Sequence, residues 1–345
     1  MADIVKIVID GREIEACAGA TVLEAALSAG IYIPNLCHHP DLEPYGGCRL
    51  CIVEIAGMRG LPTACTTRVT DGMTVKTYGG ELDRVRRDTL QLIMANHPSD
   101  CLSCAKNQRC ELQKVTAYLG VTERTMARTM PEQEVDDSNP FFTLDRNYCI
   151  LCGRCTRTCA EIVGVGAIEL MGRGDQTRVG VFGDKTLMES DCRSCGECMA
   201  RCPVGALRPK VNVVPAYEVL TTCPYCAVGC SIYLGMRDGR LVSARGNKDG
   251  GANRGMLCVK GRFGATEFVQ HPDRLTTPLI RGDNGQQPAD WDSVLDLVAA
   301  RFKSYAPDEV AVVPSSRTTN EDVYVAQKLA RAALRTNNID NCARL

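Results

Sequence analysis

The chain has 345 residues, a formal net charge of −1 and 45% hydrophobic residues, an ordinary globular composition that excludes a strongly basic nucleic-acid binder or an electrostatic membrane ligand. No stretch approaches the roughly 18 uninterrupted apolar residues of a membrane span, and the start at Met1 shows no basic segment followed by an apolar core, so a cytoplasmic location is expected. Aromatic residues make up only 5% while 21 residues are Cys, which excludes a disulfide scaffold in a chain without a secretory leader and points to metal and redox chemistry that also staples small modules.

Residues 1–78 read as a small β-rich module. Asp10-Gly11 between two alternating runs predicts a hairpin, and Thr21 with Glu24 forms a capping box opening a short helix to residue 29. Short strands are expected at 52–55 and 74–78, and a β-grasp fold fits this order. In 79–120, apolar Leu82, Val85, Leu90, Ile93 and Met94 predict an amphipathic helix over 81–96, stopped at Asn96-His97-Pro98. A second short helix is expected at 110–119, and the polar segment 121–140 reads as a linker.

Residues 141–212 hold an internal repeat, because the Cys149, Cys152, Cys155, Cys159 spacing recurs at Cys192, Cys195, Cys198 and Cys202. The Gly-punctuated stretch 169–188 between the halves predicts an inserted hairpin. Residues 216–272 form another small Gly-rich module with four Cys. From 273 to 345 the pattern changes to a helix at 291–305, a strand at 309–313, a helix at 320–335 and a strand at 338–340, the beginning of an α/β domain. Two strands do not complete such a sheet, so the chain is expected to be a piece of a longer protein.

Four thiolates at Cys37, Cys48, Cys51 and Cys65 suit a 2Fe–2S cluster, which needs two per iron, and in isolation also suit a structural zinc. His97, Cys101, Cys104 and Cys110 fit either a Cys3His zinc site or a 4Fe–4S cluster with one imidazole ligand, and the surrounding cluster motifs favour the cluster. The paired runs are the most specific signal. Three closely spaced thiolates grip one cubane while the fourth serves its neighbour. Cys149, Cys152, Cys155 and Cys202 should therefore hold one 4Fe–4S cluster, and Cys192, Cys195, Cys198 and Cys159 a second, with Pro203 completing the pattern. Cys223, Cys226, Cys230 and Cys258 form a further set, open between zinc and 4Fe–4S when taken alone. The expected complement is one 2Fe–2S and four 4Fe–4S clusters in an α+β multi-module protein. Arg49, Arg154, Arg157, Arg193 and Arg201 offset part of the thiolate charge. Cys17 and Cys342 read as plain buried thiols, and His38 and His39 as neighbours of Cys37 without a ligand role.

The first 210 residues resemble an electron-input region shared by iron-only hydrogenases and NAD-linked formate dehydrogenases. They resemble the large iron–sulfur subunit of complex I in part, which departs from the paired runs. Thr222-Cys223-Pro224-Tyr225-Cys226-Ala227-Val228-Gly229-Cys230 and Gly255-Met256-Leu257-Cys258-Val259-Lys260-Gly261-Arg262 resemble the cluster domain of molybdenum or tungsten bis-pterin oxidoreductases, specifically formate dehydrogenases. In that family the lysine matching Lys260 lies between cluster and pterin and helps relay electrons. The tail, Ser315-Ser316-Arg317-Thr318-Thr319-Asn320-Glu321 and Thr336 through Leu345, is similar to the stretch that precedes the family's selenocysteine or cysteine metal ligand. The resemblance implies the iron–sulfur portion of a formate dehydrogenase, interconverting formate and CO2 at a Mo or W bis-pterin guanine dinucleotide. No catalytic residue is expected within the chain; the metal ligand would follow Leu345, at a UGA codon read as selenocysteine. It also implies flavin/NAD diaphorase-type or ferredoxin/hydrogenase-type partner subunits. A complex I-like or hydrogenase-associated electron-transfer subunit without formate chemistry is the alternative.

Overall fold

The Asp10-Gly11 turn takes left-handed backbone at both residues, φ 52° and 79°, the geometry that matches strand twist in a two-residue hairpin. It joins β1 (Ile4–Ile9) to antiparallel β2 (Arg12–Cys17). The computed structural model that shows this describes residues 3–283 and 285–343. Arg344 and Leu345 of the tail motif, and Met1 and Ala2, lie outside the described residues. Two units are present, Met1–Asn212 and Val213–Leu345.

In the first unit, the capping box forms as the residue types require: the Thr21 hydroxyl accepts from the Glu24 N–H while Glu24 accepts from the Thr21 N–H, opening α1 (Val22–Ser28). Chain order then gives β3 (Glu54–Ile55) and β4 (Thr74–Lys76), and the sheet runs β2-β1-β4-β3, with β1 and β4 parallel. Alternation sends Ile7, Ile9 and Val75 inward against Val22, Leu23 and Ala26 of α1. Each such Val, Leu or Ile contributes about 1.5–3 kcal/mol by leaving water. This is the β-grasp arrangement, with strands shorter than predicted at 52–55 and 74–78.

Two helices follow, α2 (Gly80–Ala95) and α3 (Glu111–Tyr118). The segment read as a linker contributes a strand, β5 (Val135–Asp136), which pairs with β6 (Phe142–Asp145). Its polarity misleads because Asp136 and Asn139 are buried: Asp136 accepts from the Leu187 N–H, and Asn139 donates to Ser194 Oγ. Then come α4 (Arg154–Arg157), the inserted hairpin β7 (Glu169–Met171) and β8 (Arg178–Gly180), α5 (Glu197–Arg201), and β9 (Leu207–Pro209), which closes onto β6. The repeat is visible in the backbone. Leu151 and Ser194 have φ 53° and 52°, and Gly153 and Gly196 have φ 68° and 74°, so both runs turn identically around their second Cys.

The second unit begins with an antiparallel sheet of β10 (Tyr217–Thr222), β11 (Ser231–Arg237) and β12 (Arg240–Gly246), followed by a wide helical turn at Lys260–Gly264 and α6 (Ala265–Phe268). A hairpin of β13 (Leu279–Gly282) and β14 (Gly285–Pro288) precedes α7 (Trp291–Lys303) and α8 (Asn320–Lys328). The strand expected at 309–313 is reduced to one parallel bridge between Val312 and Ile339, and Pro307–Glu309 is a short 3-10 turn. A parallel strand needs partners and cover on both faces; here Leu295, Leu297, Val298 and Phe302 of α7 stay exposed. The helix expected over 320–335 is α8 continued by a wider turn at Leu329–Ala333. Cys17 and Cys342, read as buried, are both exposed. Cys17 ends the outer strand β2, and the Cys342 sulfur lies 3.8 Å from the hydroxyls of Ser315 and Ser316. Among the described residues, no helix is long and apolar enough to cross a membrane.

Candidate metal centres

Cys37, Cys48 and Cys51 lie in the long connection between α1 and β3, and Cys65 in the connection between β3 and β4. Three are sealed off, with Cys37 and Cys51 0% and Cys65 1% exposed, while Cys48 is half-buried. The Cys37 sulfur is in hydrogen-bond contact with those of Cys48 and Cys65, and Cys51 contacts Cys65. Donation from Cys48 and Cys65 holds Cys37 well below the usual thiol range and pushes the two donors up. Donation from Cys65 lowers Cys51 in the same way, so two of the four thiols are drawn toward the thiolate form that binds metal. The Leu36 N–H donates to Cys48 Sγ at 3.4 Å.

The next set lines a single cavity of about 470 Å³ whose walls include His97, Cys101, Cys104, Cys110 and Tyr148. Helix α2 ends just before His97, and Cys110 caps α3, so two helix termini bring these side chains to one space. His97 Nδ1 is buried without a hydrogen-bond partner. Burial lowers the His97 pKa, favouring neutral imidazole, the form that ligates metal. An orphaned imidazole nitrogen on a residue that shares its cavity with three thiols is what a His-ligated cluster would satisfy.

The paired runs come together crosswise. Cys149, Cys152, Cys155 and Cys202 line one apolar cavity with Leu144 and Val204. Cys159 instead joins Cys192, Cys195 and Cys198 as their near electrostatic neighbour. Burial pushes Cys149 and Cys152 up to about 12 and raises Cys198, so the bare thiols hold their protons and metal binding must displace them. Backbone N–H groups point at the sulfurs in matching positions, Leu151 to Cys149 and Ser194 to Cys192, both at 3.4 Å. Such bonds stabilise the reduced form of a bound cluster.

Side chains that motif reasoning did not assign as contacts join these groups. In α4, Arg154 makes a bidentate pair with Glu111, 2.7 Å on each arm, directly beside Cys110. Arg157 donates to the carbonyls of Cys37 at 2.6 Å and Glu43 at 2.7 Å. Arg201 of α5 reaches Asp41 at 2.8 Å and pairs with Glu197. Lys106 Nζ donates to the Cys202 carbonyl at 2.9 Å. Gly205 lies so close to Cys104 that an added Cβ would sit 2.7 Å from its sulfur. The Cys149/Cys152/Cys155/Cys202 group is thus in contact with the Cys37 group and with the His97 group. The positive charge of these arginines was legible from sequence; which carbonyls and carboxylates they reach was not.

In the second unit, Cys223 is buried with Ile232 and Leu257, and its N–H donates to the Cys230 carbonyl at 2.8 Å. Cys226 and Cys258 are the near electrostatic neighbours of Cys223 and Cys230, and burial raises both of the latter. Gly261 packs against the group, with an added Cβ falling 3.6 Å from Cys223 Sγ. Lys260 is exposed and opens the turn after Cys258.

These placements agree in order with five family matches along the chain. Residues 2–80 match a 2Fe-2S iron-sulfur cluster binding domain, 86–125 the NADH-ubiquinone oxidoreductase-G iron-sulfur binding region, and 139–208 the ferredoxin-like domain of NADH-quinone oxidoreductase subunit 3. Residues 217–270 match the molybdopterin oxidoreductase Fe4S4 domain, and 274–345 the molybdopterin oxidoreductase family itself. The NADPH-Fe(3+) oxidoreductase subunit alpha of Geobacter sulfurreducens is 38% identical over 99% of this chain and 40% of its own length. A Staphylococcus aureus protein provisionally named a formate dehydrogenase is 30% identical over 98% of this chain and 39% of its own. Among solved structures, an NAD+-reducing [NiFe]-hydrogenase in the H2-reduced state is similar with a TM-score of 0.53 and 34% identity, covering 60% of this chain and 87% of that one. The chain spans about 40% of the length of the curated relatives it matches. With its 2Fe–2S domain, its 4Fe–4S domains and the start of a molybdopterin oxidoreductase domain in a mixed α/β structure, this chain belongs to the iron–sulfur part of the molybdopterin oxidoreductase family, of the NADH-quinone oxidoreductase G and Fe(3+)-reductase-like kind.

Proposed function

We propose that this chain is the electron conduit of a larger cytoplasmic oxidoreductase, holding one 2Fe–2S and four 4Fe–4S clusters in the five residue groups described above. When bound, the clusters supply one-electron carriers between a Mo or W bis-pterin site in the whole protein and an NAD-linked or ferredoxin-linked partner subunit. The observation that carries this reading is the crosswise exchange of Cys159 and Cys202, which suits two adjacent cubanes sharing ligand runs. The chain's own residues do the rest. Buried thiols exclude water, backbone N–H groups donate to sulfur, and the α4 arginines fix neighbouring groups against each other. Lys260, exposed beside the Cys258 ligand position, is the residue we assign to face the pterin.

Formate and CO2 are the substrate couple we propose for the whole protein, supported by the Ser315–Glu321 and Thr336–Leu345 resemblance and by the Staphylococcus aureus relative. A second reading, an NAD(P)H-linked subunit without formate chemistry, is favoured by the Geobacter sulfurreducens relative's name. Anaerobic purification of the chain should give about 18 iron atoms per molecule, with both cluster types in the reduced EPR spectrum; a colourless, zinc-bearing protein overturns the conduit. Adding formate, then NADPH, to the whole protein separates the two readings. Cluster reduction by formate supports the first, and reduction by NADPH alone discards it.

A further inference from the structure

Two arginines from outside the β-grasp module grip its ligand loop. Arg86, in α2, is 0% exposed, the most buried charged side chain among the described residues. It spends its guanidinium on three carbonyls: Leu50 at 3.2 Å, Thr77 at 2.6 Å and Ile52 at 2.5 Å. Leu50 and Ile52 flank Cys51. Among carboxylates, Asp83 lies 3.8 Å away and is partly exposed, and Asp10, bonded to Thr77, acts on it from farther off. From another direction Arg157 donates to the Cys37 carbonyl at 2.6 Å and to Glu43, with its Nε buried and unpartnered and its guanidinium 4.8 Å from the Tyr45 ring centroid. Tyr45 in turn lies over Gly153, where an added Cβ would stand 3.3 Å from the ring, so the ring, the guanidinium and the Cys152–Cys155 loop close one patch.

A buried guanidinium that neutral carbonyls solvate is costly unless a negative charge lies nearby, and it stays charged at every accessible pH. Four thiolates around iron supply that charge, and reduction adds to it. We propose that Arg86 and Arg157 are positioning residues that clamp the Cys37/Cys48/Cys51/Cys65 loop by its carbonyls, and that their fixed positive charge raises the reduction potential of the cluster bound there. The inference rests on the 2Fe–2S reading of that loop. The clamp is asymmetric in origin. Arg86 comes from the helix that leads to His97. Arg157 comes from between Cys155 and Cys159, which belong to two other groups, so its charge lies where an electron leaves one carrier for the next. Low dielectric around buried groups strengthens both effects.

The test is an EPR-monitored redox titration of the anaerobically purified chain. Wild-type protein must first show the 2Fe–2S signal; its absence removes the cluster assignment, a failure distinct from that of the clamp. With the signal present and iron unchanged, Arg157→Gln should lower the ratio of reduced to oxidised 2Fe–2S cluster about tenfold at the wild-type midpoint, which is ~59 mV for a one-electron couple. Arg157→Lys, which keeps the charge, should stay within about threefold of wild type. A midpoint unmoved in Arg157→Gln, or one displaced as far in Arg157→Lys, overturns the electrostatic role. Arg86→Lys keeps charge but cannot reach three carbonyls, and should speed loss of 2Fe–2S iron to a chelator several-fold. Unchanged loss overturns the holding role.

Discussion

Removing the carboxylate charge at Glu111 isolates the contact between α4 and the His97 group. Arg154 is nearly sealed, its side chain 4% exposed, and both arms rest on Glu111 at 2.7 Å, while its Nε is buried without a partner. Breaking a fully buried ion pair from one side costs about 3–5 kcal/mol, chiefly for the charge left behind. Glu111 itself is 43% exposed, so water recovers part of that. Glu111→Gln, which keeps shape but offers one acceptor, should therefore cost about 2 kcal/mol locally. At ~1.4 kcal/mol per decade, local opening around Cys110 becomes about 30-fold more frequent. The assay is anaerobic iron extraction by a chelator present at limiting opening, with EPR following the His-ligated cluster separately. Extraction of that cluster should accelerate about 30-fold, with the 2Fe–2S cluster little affected. A rate within about twofold of wild type would refute the reasoning, because it would mean the bidentate pair is not what holds α3 against α4.

Cys202→Ser should remove about four iron atoms and the spectrum of the cluster shared with Cys149, while Cys159→Ser removes the one shared with Cys192; loss of the run's own cluster instead refutes the crosswise assignment. His97→Cys replaces a neutral ligand with a thiolate, so that cluster's midpoint should fall by on the order of 100 mV in a redox titration. The metal-free first unit should lose stability between about pH 9 and 12. Cys149 and Cys152 stay protonated up to about 12 when folded but ionise near 9.0 when unfolded, so the unfolded chain sheds protons first as pH rises. Chemical denaturation at pH 8 and pH 11 checks the sign; equal midpoints contradict it.

Local chemistry was readable wherever it is decided by neighbours in sequence. Asp10-Gly11 makes its hairpin, Thr21 and Glu24 cap α1, and the repeated Cys spacing produces the same left-handed turns at Leu151 and Ser194. Cys202, which the repeat rule assigns to the first run, lines the same cavity as Cys149, Cys152 and Cys155. What stayed hidden depends on long-range partners. Arg86 sits in a helix segment rich in arginine and aspartate, and nothing local marks it as the one turned into the interior. Asp136 and Asn139 look like linker polarity until Leu187 and Ser194 arrive to bond them. The apolar run at 309–313 looks like a buried strand, but a strand is a relation between segments, and among the described residues Val312 makes a single bridge, to Ile339.

The buried guanidinium of Arg86 also bears on where the first module can be cut. A fragment ending near residue 78 would carry every thiol of the Cys37 group and all four strands of its sheet, yet it would lose the side chain that plugs the Leu50, Ile52 and Thr77 carbonyls. Each carbonyl left dry and unbonded costs about 1–3 kcal/mol, comparable with the whole margin of a small domain. A portable version of this module should therefore extend through the end of α2 at Ala95. The helix belongs by sequence to the next motif, but by its buried charge it is the keystone of the one before.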